Sequence, residues 1–76
     1  MGGDLKNVVA INLRRLRQVH GWTQEELADR VRLSVRYVGQ VERGQALMSV
    51  TVLGRFADSL GADATELVKR SRDRKA

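Results

Sequence analysis

The segment S-V-R-Y-V-G-Q-V-E-R-G, residues 34–44, carries a guanidinium at Arg36, a phenol at Tyr37 and a carboxamide at Gln40 where a buried helix would carry Leu. Residues three and four apart share a helix face. Arg36 and Gln40 therefore stand together, with Val35 and Tyr37 beside them on the first turn and Gly39 keeping the middle of that face low. A guanidinium fork donates two parallel hydrogen bonds to neighbouring acceptors such as O6 and N7 of guanine. A carboxamide donates and accepts at once, which suits adenine or a bridge to phosphate, and a small apolar group such as Val35 can meet a thymine methyl. On an arbitrary surface helix the same side chains would simply be solvated, so the surrounding elements decide.

Those elements are marked by one repeated device. Thr23, Ser34, Ser49 and Asp63 each stand where a helix N-cap is expected, accepting from backbone N–H groups that the first turn leaves without partners. Thr23 with Glu26, and Asp63 with Glu66, have the spacing of capping boxes. Each cap is bracketed by an apolar pair at hydrophobic-staple spacing: Trp22 with Leu27, Leu33 with Val38, Met48 with Leu53, Ala62 with Leu67. The pattern predicts helices over about 24–31, 35–43, 50–60 and 64–71. A first helix is expected from about Leu5 to His20, capped by Asp4 and stopped by Gly21, with Leu5, Val8, Val9, Leu13, Leu16 and Val19 inward. No sustained alternation suggests a strand.

Only Arg32, Leu33 and Ser34 separate Val31 from Val35, which forces the second and third helices into a tight, angled pair of the helix-turn-helix kind. In that arrangement the first helix crosses a DNA backbone and the second enters the major groove. Leu27, Ala28, Val31, Val38 and Val41 should face inward, leaving Val35, Arg36, Tyr37 and Gln40 outward. Gln24, beside the cap Thr23, is placed to help backbone amides hold a phosphate.

Composition agrees and narrows the classes. With 76 residues the chain is read as one domain, 1–76, with a core over about 5–71 and a frayed basic tail at 72–76. A chain this short buries only about 60 % of the surface its unfolded form exposes, so self-association is expected to support it. Fourteen Lys and Arg against nine Asp and Glu give a net charge of +5, which favours an anionic partner. Cysteine is absent, and the single His20 has neither a second metal ligand nor a nucleophile at motif spacing. Neither an enzyme, a metal site nor a cofactor is expected. The glycines form no phosphate loop, no apolar run suggests a membrane span, and a cytoplasmic protein without a small-molecule ligand is expected. Val50, Leu53, Leu60, Leu67 and Val68 offer more apolar surface than one short core can use, and with Met48 they are expected to form a homodimer interface.

V-A-I-N-L-R-R-L-R (9–17), G-W-T-Q-E-E-L-A (21–28), Y-V-G-Q-V-E-R-G (37–44) and L-G-R-F-A-D-S-L-G (53–61) together resemble the phage-repressor (Cro/CI, XRE-type) helix-turn-helix family over essentially the whole chain. Within it, the likeness is to stand-alone restriction-modification controller proteins and small mobile-element regulators. The resemblance implies an all-α, compact five-helix domain like that of lambda repressor. The implied function is that of a transcriptional regulator which dimerises on a palindromic double-stranded DNA operator. It assigns Gln24, Val35, Arg36, Tyr37 and Gln40 to DNA-facing places, Arg43 to the neighbourhood of phosphate, and Arg17 with Glu42 to a buried ion pair. The same fold also serves as a protein-interaction adaptor or antitoxin, the competing class. Two departures stand out: Arg32 occupies the turn position usually held by Gly, and Met48 replaces a common Pro.

Overall fold

Side-chain caps set the helix starts in the computed structural model, which describes residues 2–70. Among these there are five helices and no strand: α1 (Gly2–Val19), α2 (Gln24–Val31), α3 (Val35–Glu42), α4 (Val50–Leu60) and α5 (Ala64–Val68). Thr23 accepts from the Glu26 amide while the Glu26 carboxylate accepts from the Thr23 amide, a complete capping box. Ser34 accepts from the Tyr37 amide and Ser49 from the Val52 amide. Each such cap typically contributes about 1 kcal/mol.

Three expectations at the ends are corrected. α1 begins at Gly2, so Asp4 lies inside the helix instead of capping it. Asp63 has cap-like backbone but no side-chain cap bond, because the Glu66 amide donates to the Asp63 carbonyl. α5 stops at Val68, where the Asn12 amide donates to the carbonyls of Leu67 (3.0 Å) and Lys69 (2.9 Å) and holds the chain extended at Lys69. The expected tail at 72–76 lies outside the described residues.

The core draws on every helix: Val9 and Leu13 from α1; Leu27, Ala28 and Val31 from α2; Val38 and Val41 from α3; Phe56, Ala57 and Leu60 from α4; Leu67 from α5. Trp22, Leu33, Met48, Leu53 and Ala62, the residues of the staples that lie outside it, pack against its edge. The α1 stripe runs through Val9, Ala10 and Leu13, whereas Val19 is exposed and Asn12 is buried. Trp22 is half-buried, with its ring stacked on His20 at 4.3 Å and covered by the Arg30 guanidinium at 4.1 Å. His20 in turn donates from Nε2 to the Leu60 carbonyl at 2.8 Å, fastening the loop after α1 to the end of α4.

Candidate nucleic-acid interface

The two faces of α3 differ in chemistry. Val38, Gly39, Val41 and Glu42 are buried, while Val35 and Arg36 are exposed and Tyr37 and Gln40 half-buried. Tyr37 packs its ring against the core edge. The four outward residues therefore lie on successive turns of one accessible helix, as the helical period requires.

What fixes that helix is a carboxylate at its C-terminal end. Glu42 is 1 % exposed, and Arg17 of α1 meets it through Nε to Oε2 at 2.6 Å and Nη2 to Oε1 at 3.1 Å. Oε1 accepts a further bond from the Gln24 amide at 3.0 Å, and Arg17 Nη1 donates to the Trp22 carbonyl at 2.8 Å. Arg14 Nη1 donates to the Glu42 backbone carbonyl at 2.7 Å. α1, α2 and α3 are thus joined at one buried charge whose hydrogen-bonding capacity is met, the condition under which a buried ion pair is tolerable.

Gln24 consequently has a different attachment from the phosphate contact read in the sequence: its carboxamide N–H₂ donates to Glu42 inside the network. Its backbone still opens α2. Gly39 lies beneath Arg43 and Gln24: a Cβ there would press on Arg43 Nη1 at 3.0 Å and stand in ordinary contact with Gln24 Oε1 at 3.6 Å. Arg43 is exposed and donates from Nε to Gln45 Oε1 at 3.2 Å. Gly44 follows with φ +73°, and a Cβ at this position would fall 2.8 Å from Asn7 Oδ1. The left-handed backbone favours glycine there, and the near neighbour is the tip of the exposed Asn7 side chain.

The turn between α2 and α3 is left-handed at Arg32, φ 62° and ψ 46°, so a non-glycine residue adopts the geometry that glycine accepts freely. Arg55 of α4 donates from Nη2 to the carbonyls of Val31 at 2.6 Å and Arg32 at 3.2 Å. Neither Arg14, Arg55 nor Asn12 was singled out in the sequence. Asn12 alone left a local trace there, as a polar residue three positions beyond Val9 on an otherwise apolar stripe.

The residues read as a subunit interface divide into two groups. Leu60, 3 % exposed, and Leu67, 0 % exposed, are corrected: both fill the chain's own core and present no surface. Met48, Val50, Leu53 and Val68 instead line, with Leu5, Val9 and Leu47, an apolar groove of about 270 Å³. Val50 is 85 % exposed at its rim.

Comparison with known proteins places this arrangement. A helix-turn-helix domain family matches residues 9–69, and the chain belongs to that family, as an XRE-type helix-turn-helix transcriptional regulator. An HTH-type transcriptional regulator of Sinorhizobium fredii, y4dJ, is 38 % identical over 65 residues, covering 86 % of this chain and 84 % of the relative. Among solved structures, the hypothetical transcription factor NHTF from Neisseria superposes with a TM-score of 0.88 at 35 % identity, over 97 % of this chain and 85 % of that one. The restriction-modification controller protein C.AhdI from Aeromonas hydrophila superposes with a TM-score of 0.78 at 37 % identity, over 82 % and 94 % of the two chains. No helix among the described residues is long and apolar enough to cross a membrane.

Proposed function

We propose that the protein is a sequence-selective double-stranded DNA-binding regulator that acts as a homodimer on a palindromic operator, with α3 in the major groove. The observation that carries this reading is the contrast between the two faces of α3. One is fixed to α1 and α2 through the Arg17–Glu42 pair, and the other presents Val35, Arg36, Tyr37 and Gln40. A rigid helix with a guanidinium and a carboxamide on its accessible face has the donors and acceptors that base edges require. Arg36 reads guanine, Gln40 pairs with adenine or bridges to phosphate, and Val35 meets a thymine methyl. Arg43 contacts the backbone, joined by the first amides of α2 at Gln24. The likeness in fold to the restriction-modification controller protein C.AhdI supports a regulator of that kind.

The homodimer rests on the groove. Its lining is apolar throughout, a surface a small monomer seldom exposes without use. A second copy seated on Met48, Val50, Leu53 and Val68 would add buried surface that a 76-residue core lacks. No small-molecule ligand or cofactor enters this reading. Selection from a randomised duplex pool tests it: the retained sequences should converge on a palindrome, bound with a log–log salt slope of about 0.9 per neutralised phosphate. Retention without sequence preference would contradict it and favour an adaptor or antitoxin role.

A further inference from the structure

The left-handed residue Arg32 sits at the pivot of the helix-turn-helix, and its surroundings supply what glycine would have provided by itself. The carbonyls that α2 leaves open at its C-terminus can be followed one at a time. Ala28 O accepts from the Leu33 amide at 3.0 Å and Asp29 O from the Arg32 amide at 3.3 Å, the two bonds of a Schellman turn. The next three accept from α4: Arg30 O from Ser59 Oγ at 3.4 Å, and Val31 O and Arg32 O from the Arg55 guanidinium. Arg55 therefore grips the carbonyls on both sides of the Arg32 amide–Cα–carbonyl unit, the one whose backbone is disfavoured for an L side chain. A planar guanidinium bound to two successive carbonyls restricts rotation about the dihedrals between them.

We propose that Arg55 is a positioning residue for DNA recognition, clamping the turn at Arg32 in its left-handed form and thereby setting the angle at which α3 is presented. The clamp follows from the bonds at the turn, and its consequence for recognition rests on the regulator reading above. Without Arg55 the Arg32 backbone is free to leave the left-handed region. The Leu33 and Arg32 amides then lose their partners on α2, and α3, which begins only three residues after Arg32, changes its inclination. A glycine at position 32 needs no such clamp.

The test uses the full chain and three variants: Arg55→Ala, Arg55→Lys and Arg55→Ala with Arg32→Gly. Hydrogen exchange of the Leu33 amide is followed by NMR in the absence of DNA, relative to the Leu13 amide in the core as a gauge of global stability. Preference for a duplex selected by the wild-type chain over a scrambled duplex is measured in parallel. Arg55→Ala should raise relative Leu33 exchange about tenfold and reduce the duplex preference by a similar factor, the scale of one lost charge-assisted hydrogen bond. Arg32→Gly should restore both, and Arg55→Lys, which keeps the charge and donor hydrogens but on a shorter side chain without the planar guanidinium, should fall between; the Lys variant also serves if the Ala variant fails to fold. Relative Leu33 exchange that is unchanged in Arg55→Ala, or that Arg32→Gly does not restore, overturns the clamp. The expected exchange pattern combined with no duplex preference in the wild-type chain would leave the clamp standing and overturn the regulator reading instead.

Discussion

Arg17 and Glu42 meet through two N–H···O bonds, 2.6 and 3.1 Å, one to each carboxylate oxygen, with Glu42 1 % exposed. The pair joins α1 to the last turn of α3 and, through Gln24, to the first turn of α2. Its value lies in geometry more than in net attraction, since burying two charges costs about what their attraction returns. Removing one partner is a different matter, because the other is left buried and alone.

Arg17→Met should accordingly destabilise the fold by about 3–5 kcal/mol in urea unfolding, and Glu42→Leu by a similar amount. The double variant Arg17→Met with Glu42→Leu should lose much less than the sum, because neither charge is then stranded. Additive losses would mean that the two residues contribute independently.

Arg36 and Arg43 are both exposed on or just beyond α3, yet different effects are expected of them. Arg36→Ala should cost about 1–3 kcal/mol of binding at one base pair of each half-site and relax the preference there. Arg43→Ala should weaken all sequences alike and lower the salt slope by about one phosphate equivalent. Competition binding against a panel of single-base operator variants separates the two. A uniform loss from Arg36→Ala would assign it to phosphate.

Val50 lies 85 % exposed at the rim of the groove formed with Leu5, Leu47, Met48, Leu53 and Val68. Val50→Asp should leave the monomer fold intact, since no core contact is lost, but place an unpaired carboxylate in the proposed subunit interface. Sedimentation should show the dimer dissociating, with the helical circular dichroism per residue preserved. A dimer as tight as wild type would exclude this groove as the interface.

The helix order and the starts of α2, α3 and α4 were legible because a cap needs only a side chain and an amide three residues away. The same rule misled at Asp63, where a backbone carbonyl took the amide in place of the side chain. Leu60 and Leu67 looked surplus because counting apolar residues does not tell which of them meet across helices; both belong to the core, and the groove is formed by their neighbours. Asn12, Arg14 and Arg55 escaped notice for a related reason. Their partners, the carbonyls of Leu67, Glu42 and Val31, are 55, 28 and 24 residues away, and a backbone carbonyl has no side-chain signature in a sequence. At Gln24 the position on α2 was legible but not its bond to Glu42, a partner 18 residues away on another helix.

The seating of α3 against base edges is most directly tested by methylating guanine N7, an acceptor that faces only the major groove, within a duplex selected by the wild-type chain. Methylation at one guanine in each half-site, the two lying about one helical turn or roughly 34–36 Å apart, should abolish binding by the wild-type chain and have little further effect on Arg36→Ala. Equal binding to methylated and unmethylated duplex would contradict the placement of Arg36 in the major groove and the account of recognition built on it.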